Sequence, residues 1–237
     1  MRLGVAGLLA AGITGFLRHE FRHPAPALPP RLFARRGFAA ANAANALSNL
    51  AMYVTLLATP ILLARRGGWS STAVGLILAA LSGATVLTSP LGGRLADRLG
   101  RRWPAVLGLA CLTAGTVPLA VGGGTVALPV LVGGLLLAGG GLGLATAALQ
   151  TGALESVALP QAGAAAGVFS TSRYLGSIVG SSVLGGLLGA ERGDLRGFAT
   201  VFLLVAGAAG LSALAAFGLQ DWPGRLATGP AGIEENR

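Results

Sequence analysis

GGRLADRLGRR, residues 92–102, concentrates charge in a chain that otherwise avoids it. Five of these eleven residues are charged, whereas charged residues make up 11% of the 237-residue sequence, and long apolar runs lie on both sides. A short basic segment between two apolar runs is typical of a loop that joins two membrane-spanning helices. We therefore expect the flanking runs to cross a bilayer.

The composition of the whole chain also indicates a membrane protein. Hydrophobic residues make up 53% of the sequence and 39 residues are glycine, and small residues at this density let helices pack closely in lipid. The formal net charge is +9, but the arginines lie in short segments between apolar runs. We therefore expect a lipid bilayer as partner and no nucleic acid. The single cysteine, Cys111, excludes a disulfide within this chain and is expected to pack in the apolar interior.

Six apolar stretches are long enough to cross the hydrocarbon core, which takes about 20 residues of helix. Charged or turn-forming segments separate them, and the alternating pattern of a β-barrel is absent. The fold class that we expect is an all-α integral membrane bundle of six transmembrane helices. The predicted spans are residues 38–64, 72–91, 103–121, 125–154, 162–190 and 198–218.

The distribution of arginine predicts the orientation of the bundle. One set of alternating segments, which includes residues 94–102 and the C-terminus, carries eleven arginines. The opposite set carries four, which are Arg65, Arg66, Arg192 and Arg196. Since cytoplasmic loops are enriched in arginine, we expect the first set in the cytoplasm and the chain in a bacterial plasma (inner) membrane.

The N-terminal apolar stretch, residues 3–17, is too short for a full span, because fifteen helical residues reach only about 22 Å. Three interpretations stay open: a signal peptide, an interfacial helix, or the remainder of a longer spanning helix, which we favour. The expected organisation is a truncated or interfacial apolar helix (1–17), a basic cytoplasmic linker (18–37), the six-helix bundle (38–218) and a cytoplasmic tail (219–237).

The residues of the opening stretch suit an ionic latch between two helices. Gly93 and Gly100 permit a tight turn and a close approach of the backbone. Asp97 lies among cations that can pair with it or hold the inner leaflet. Ion pairs of this kind can form in one conformation and break in another. The cations are Arg98, Arg101 and Arg102.

The stretch resembles the signature loop of the major facilitator superfamily of secondary transporters, G-x-L-A-D-R-x-G-R-R, which also follows the second helix of a six-helix half. Residues 167–185, GVFSTSRYLGSIVGSSVLG, and residues 18–47 resemble the second half of the 14-spanning drug–proton antiporters. The resemblance covers most of residues 15–218. It implies the C-terminal half of such a transporter, with the N-terminal bundle missing from this chain.

Four polar residues of the first predicted span are candidates for a substrate pathway. Asn42, Asn45, Asn49 and Tyr53 follow one another at spacings of three and four, which places them on one helix face. Amides in hydrocarbon must avoid lipid. They either line a cavity and bind a drug-like substrate, as the resemblance implies for the first helix of each half, or they bond neighbouring helices.

Arg173 lies about 16 Å into the fifth predicted span, where an arginine is costly and by default functional. We expect a buried Arg173 that acts as a cytoplasmic gate or a substrate counter-ion, with Glu155 or Asp97 as its partner. The alternative is an arginine that extends its side chain to the interface.

The resemblance implies a secondary-transporter half that takes part in multidrug efflux by proton antiport through alternating access. No acidic residue lies deep in a predicted span, so we expect the chain to be incomplete alone. It needs the missing N-terminal half, a second polypeptide or a second copy of itself. The alternative is a non-transporting membrane scaffold or remnant. We expect no enzyme activity, no cofactor and no metal site, since His19 and His23 lie outside every span.

Overall fold

A computed structural model describes residues 30–190 and 197–220 of the protein. This part of the chain contains helices and short connections, and no strand. The six long helices are α1 (Arg36–Arg66), α2 (Ser71–Leu99), α3 (Arg102–Gly122), α4 (Leu128–Glu155), α5 (Ala162–Ala190) and α6 (Gly197–Ala216). Short 3-10 helices lie at Pro30–Ala34, Gly123–Thr125 and Leu159–Gln161.

Each predicted span corresponds to one of these helices, but α2 is longer than predicted. It continues past residue 91 to Leu99, so that only Gly100 and Arg101 separate α2 from α3. The prediction of a loop is therefore wrong for residues 92–99. Arginine, leucine and alanine are good helix formers, and the helix ends only at Gly100, whose φ of 82° suits glycine.

Five of the six long helices in the described part are long and apolar enough to cross a membrane: α1, α2, α3, α4 and α6. α5 has 29 residues and is also long enough. Its middle contains Arg173 and six serine or threonine residues, which make it less apolar. All six helices are therefore long enough to be the expected spans, and five of them are also apolar enough.

α1 and α4 form the centre of the bundle. α4 packs along α2 and α3, α1 packs along α5 and α6, and α1 and α4 also contact each other. α3 and α6 pack together behind them. Exchange of the first three helices with the last three reproduces the same contacts, so the bundle has an internal pseudo-two-fold arrangement of two three-helix repeats.

Glycine lets the backbones of α3 and α4 touch. A Cβ atom on Gly115 would lie 2.5 Å from the carbonyl oxygen of Gly134, and one on Gly134 would lie 2.6 Å from that of Gly115. Gly108 and Gly141 make a similar reciprocal contact. Because lipid gives no hydrophobic force between helices, close contacts of this kind drive their association.

The first three helices each contain an internal proline: Pro60 in α1, Pro90 in α2 and Pro118 in α3. Proline has no N–H group, so one backbone hydrogen bond of each helix is missing. α4 has a proline only in its first turn, and α5 and α6 have none in their sequences. The two repeats therefore differ in their internal hydrogen bonding.

The connections between helices fall at the two ends of the bundle. At one end, Arg35 donates from Nη1 to the carbonyl oxygen of Ser156 at 2.8 Å, which joins the start of α1 to the end of α4. At the other end, Arg66 donates to the carbonyl oxygens of Gly124 and Val126, at 2.7 and 2.6 Å. This grouping agrees with the alternation of segments from which the orientation was predicted, while the side of the membrane stays a prediction.

Some expectations concern residues that the structure does not describe. The N-terminal helix (1–17), the linker as far as residue 29, and the tail from residue 221 onwards lie outside the described residues. The same is true of Arg192 and Arg196.

The contact between α3 and α4 predicts opposite effects for two adjacent glycines. Gly134→Ala places a Cβ against the backbone of α3, so we expect a loss of about 1–3 kcal/mol in the free energy of unfolding. A Cβ on Gly133 would have no atom of a neighbouring helix within 4 Å, so Gly133→Ala should be neutral or gain up to about 1 kcal/mol. Denaturant unfolding of the purified protein in detergent measures both, and equal effects would contradict the packing.

The orientation can be tested by labelling exposed positions at the two ends. In a Cys111→Ala background, Leu99→Cys should react with a membrane-impermeant maleimide only after the cells are permeabilised, because Leu99 lies at the expected cytoplasmic end and is exposed. Trp69→Cys, exposed at the opposite end, should react in intact cells. The reverse pattern would overturn the predicted orientation.

Candidate functional site

An ionic cluster joins the ends of α2, α3 and α4. Arg101 lies between α2 and α3 and donates from Nη1 to Oδ1 of Asp97, in the last turn of α2, at 2.8 Å. The same guanidinium donates from Nε and Nη2 to the two carboxylate oxygens of Glu155, at 3.1 and 2.9 Å. Glu155 is the last residue of α4. One side chain therefore holds three helix ends together, with a two-pronged bond to Glu155.

Arg101 is the least exposed residue of this cluster, and it keeps its positive charge. Its side chain is 17% exposed, whereas that of Asp97 is 74% exposed and that of Glu155 is 43% exposed. The hydrogen bond to Glu155 raises the pKa of Arg101, and the bond to Asp97 adds to this effect against partial burial. Arg101 thus stays cationic at physiological pH. The cluster can open only when its helix ends separate or when a carboxylate loses its charge.

The other residues of the motif have different positions. Arg98 is exposed and makes no ion pair with a residue of the described ranges. The guanidinium of Arg102 lies over the rings of Trp103 and Phe217, 6.0 and 5.5 Å from their centres. Of the three arginines expected to pair with Asp97, Arg101 is the one that does so in the described structure.

The close backbone approach expected at Gly93 occurs one residue earlier. Gly93 has open space around it, whereas a Cβ on Gly92 would collide with the backbone of Leu144 in α4. Gly100 instead provides the turn, with φ of 82°. Gly92 thus acts in helix packing, and Gly100 acts in the turn that positions Arg101.

The three asparagines of α1 are buried inside the bundle. Asn45 donates from Nδ2 to the carbonyl oxygen of Phe169 at 2.8 Å and to the hydroxyl of Ser172 at 3.0 Å, both in α5. Asn42 and Asn49 each donate to a backbone carbonyl oxygen of α1 itself, at 2.8 Å. This arrangement differs from the predicted cavity-facing stripe and matches the interhelical interpretation for Asn45.

Tyr53 does not share the burial of the asparagines. It is exposed together with Leu57 and Ile61, which follow at spacings of four residues. On α4, Gln150 is exposed as well. The exposed face of the two central helices is therefore mostly apolar, with Tyr53 and Gln150 as polar groups that a ligand can reach.

Arg173 is exposed, and its guanidinium carbon lies 5.3 Å from the centre of the Tyr174 ring. The residues that the structure describes do not bury Arg173 as expected. Glu155 and Asp97, the expected partners, both bond to Arg101. The structure thus brings Asp97 and Arg101 of the expected latch together with Glu155 and leaves Arg173 apart from them.

Two threonines that the sequence analysis did not single out also bridge helices. Thr85 and Thr88 of α2 place their hydroxyls 3.0 and 2.8 Å from the carbonyl oxygens of Gly139 and Gly140 in α4. In the sequence, these threonines are three residues apart within an apolar run, and another predicted span contains a run of glycines. This pattern could have indicated the contact. The two threonines fix α2 to α4 on the side of Pro90 away from the ionic cluster.

Comparison with known proteins identifies related sequences over most of the chain. The family model described as Major Facilitator Superfamily matches residues 41–232. Multidrug resistance protein Stp of Mycobacterium tuberculosis is 34% identical over 181 residues, which is 76% of this chain and 34% of that protein. The uncharacterized MFS-type transporter YwoD of Bacillus subtilis is 33% identical over 215 residues, 88% of this chain and 46% of that protein.

A tetracycline resistance determinant of Streptomyces rimosus is 27% identical over 184 residues, which is 77% of this chain and 53% of that protein. This chain therefore matches between about a third and about half of the length of these relatives.

The bond from Asn45 to α5 predicts a difference between two buried asparagines of one helix. Asn45→Leu removes two interhelical hydrogen bonds and should lower the free energy of unfolding by about 0.5–2 kcal/mol. Asn42→Leu is the matched control, because Oδ1 of Asn42 has no hydrogen-bond partner in the structure and its loss should cost little. Unfolding of both variants in detergent is the measurement, and an equal or larger loss for Asn42→Leu would contradict it.

Proposed function

The chain belongs to the Major Facilitator Superfamily, and we propose that it forms one six-helix half of a transporter that exports drug-like molecules by alternating access. The ionic cluster carries this proposal: Arg101 binds both Asp97 and Glu155 across three helix ends. An inert membrane anchor has no need for a group of charges that can separate, whereas a moving bundle does. The names of two relatives, which refer to multidrug and tetracycline resistance, support drug-like substrates.

A second six-helix bundle completes the transporter in this proposal. The partial match to longer relatives supports it, as does the exposed apolar face of α1. The second bundle comes from a longer chain that resembles a 14-spanning antiporter, from another polypeptide, or from a second copy. Alternating access then consists of rocking of the two bundles about a site between them.

The latch keeps the inner ends of the bundle closed in one half of this cycle. While Arg101 holds Glu155, the ends of α2 and α4 stay together, and separation of these ends breaks two charge-assisted bonds. Hydrogen bonds to charged groups contribute about 1.5–3 kcal/mol, and partial exposure of Glu155 favours the lower value. About 1.5 kcal/mol corresponds to roughly a tenfold shift between two conformations.

Proton antiport is also part of the proposal, and the coupling group lies in the second bundle. Asp97 and Glu155 are the acidic residues of the described part, and both are bound to Arg101 at a helix end. A coupling group must change its protonation between the two states of the cycle. Asp97 and Glu155 therefore serve the latch, and a membrane-depth acid of the second bundle serves the proton.

Tyr53 and Gln150 are the substrate-pathway residues that we propose from the described surface, while Asn45 holds α1 against α5. The bundle lies in a bacterial plasma membrane with its C-terminus in the cytoplasm, an orientation that the excess of arginine on that side supports. The role is transport, without a chemical reaction on the substrate. The alternative scaffold role does not require the latch.

Dye export tests this proposal together with the role of the latch. The chain is expressed alone and fused to the N-terminal half of a longer relative, multidrug resistance protein Stp, in cells that lack their own drug exporters, and ethidium efflux is measured. At least one form should export the dye. Arg101→Ala should slow export about tenfold, and Arg98→Ala, the exposed neighbour, should leave it unchanged. Absence of export from every form, or full activity of Arg101→Ala, would refute the proposal.

A further inference from the structure

Arg173 occupies a depth at which a cation needs a partner. α5 begins at Ala162 and has 29 residues, so it is about 43 Å long and Arg173 lies about 16 Å from its start. A centred helix of this length extends about 7 Å beyond each side of a 30 Å hydrocarbon core. The Cα atom of Arg173 is then about 10 Å inside the core.

The described part of the chain supplies no anion for Arg173. Its acidic residues are Asp97 and Glu155, and Arg101 binds both. The ring of Tyr174 lies beside the guanidinium and offers a cation–π contact, but a ring does not neutralise a charge. The positive charge is thus uncompensated within the described residues.

The guanidinium of Arg173 turns towards the Tyr174 ring, at the edge of a side of α5 that the described residues leave exposed. Four serine or threonine residues of α5 are exposed there together with large apolar side chains. Tyr174, Leu175, Ile178 and Val179 are each about half exposed or more, at 56%, 55%, 59% and 49%. If this face met lipid, the arginine would lie in hydrocarbon, where an arginine at the centre of a spanning helix costs about 2.5–3.5 kcal/mol. A protein surface that brings a negative charge to the same depth removes that cost.

We propose that this face of α5 docks against a membrane-spanning segment that carries a carboxylate, Asp or Glu, which forms an ion pair with Arg173. The inference rests on the second bundle of the proposed function and names the chemistry of the segment that meets α5. A phospholipid phosphate is a poorer partner, because it lies outside the hydrocarbon core. An anionic substrate is present for only part of a transport cycle and leaves the cation uncompensated for the rest.

Docking also strengthens the pair. A helix that covers the exposed side of α5 keeps water from the contact, and a pair with little water around it is stronger than an exposed one. Gly176 and Gly180 follow Arg173 by three and seven residues and therefore lie on the same side of α5. They hold that side against α1, where Cβ atoms would meet the backbone of Ala46 and Leu50. α5 therefore presents Arg173 from a backbone that is held in place.

A binding experiment with a defined peptide tests the inference without any transport activity. The full chain, labelled with a donor dye, is placed in vesicles with a polyleucine transmembrane peptide that has one central glutamate and an acceptor dye. Energy transfer then gives the association constant. We expect the glutamate peptide to bind about tenfold more tightly than a peptide with glutamine at the same place.

Variants of the chain assign the effect to Arg173. Arg173→Gln should abolish the preference for glutamate, whereas Arg173→Lys should retain part of it and Arg98→Gln should retain all of it. Circular dichroism checks that each variant is helical. Equal binding of both peptides by the unaltered chain, or an unchanged preference in Arg173→Gln, would overturn the inference. So would tight binding of a soluble anionic dye that depends on Arg173 and is not displaced by the glutamate peptide.

The outcome separates the inference from the proposed function. A glutamate preference that depends on Arg173, in a chain that exports no dye in any form, would support the docking surface and reject transport. Dye export without any glutamate preference would support transport and reject the docking surface.

Discussion

Direct contact between helix backbones at glycine is the constraint on which the rest of this bundle depends. Lipid does not drive apolar helices together, so close packing and interhelical hydrogen bonds must do so. Gly139 lies against Leu81 on one flank, and Gly176 lies against Ala46 on the other. These contacts bring α2 to α4 and α5 to α1. Only at this separation do short polar side chains reach the neighbouring backbone, and only then do the ends of α2 and α4 meet at Arg101.

The two repeats reach the same arrangement with different chemistry. Between α2 and α4, the glycines lie on the central helix and the threonine hydroxyls on the flanking one. Between α1 and α5, the glycines lie on the flanking helix and Asn45 on the central one. The pseudosymmetry therefore concerns the positions of the helices and not their residues. Each of the two interfaces combines glycines on one helix with side-chain hydrogen-bond donors on the other. Replacement of a donor by a larger apolar group would lose both the bond and the close approach.

The apolar runs predicted the number, order and approximate bounds of the helices, because each run must satisfy its own backbone in lipid. The motif predicted an ionic cluster around Asp97. The sequence did not show that α2 extends to Leu99, since charged residues at a helix end are compatible with both loop and helix. The sequence singled out Glu155 as a partner of Arg173, whereas it binds Arg101, because that pairing depends on the packing of α2 on α4. The burial of Asn45 likewise depends on where α5 packs. The spacing of polar residues along α1 carries no information about that position.

The internal prolines of α1, α2 and α3 give the two repeats unequal stiffness. A helix that lacks one backbone hydrogen bond bends at that point with less elastic resistance than an uninterrupted one. In α2 this point lies between the threonine bridges to α4 and the segment that carries Asp97. Bending at Pro90 would therefore take up a displacement that begins at the charged end, before it reaches the half of α2 that carries Thr85 and Thr88. The first repeat is the compliant element of the bundle, and the uninterrupted α5 and α6 are its rigid frame.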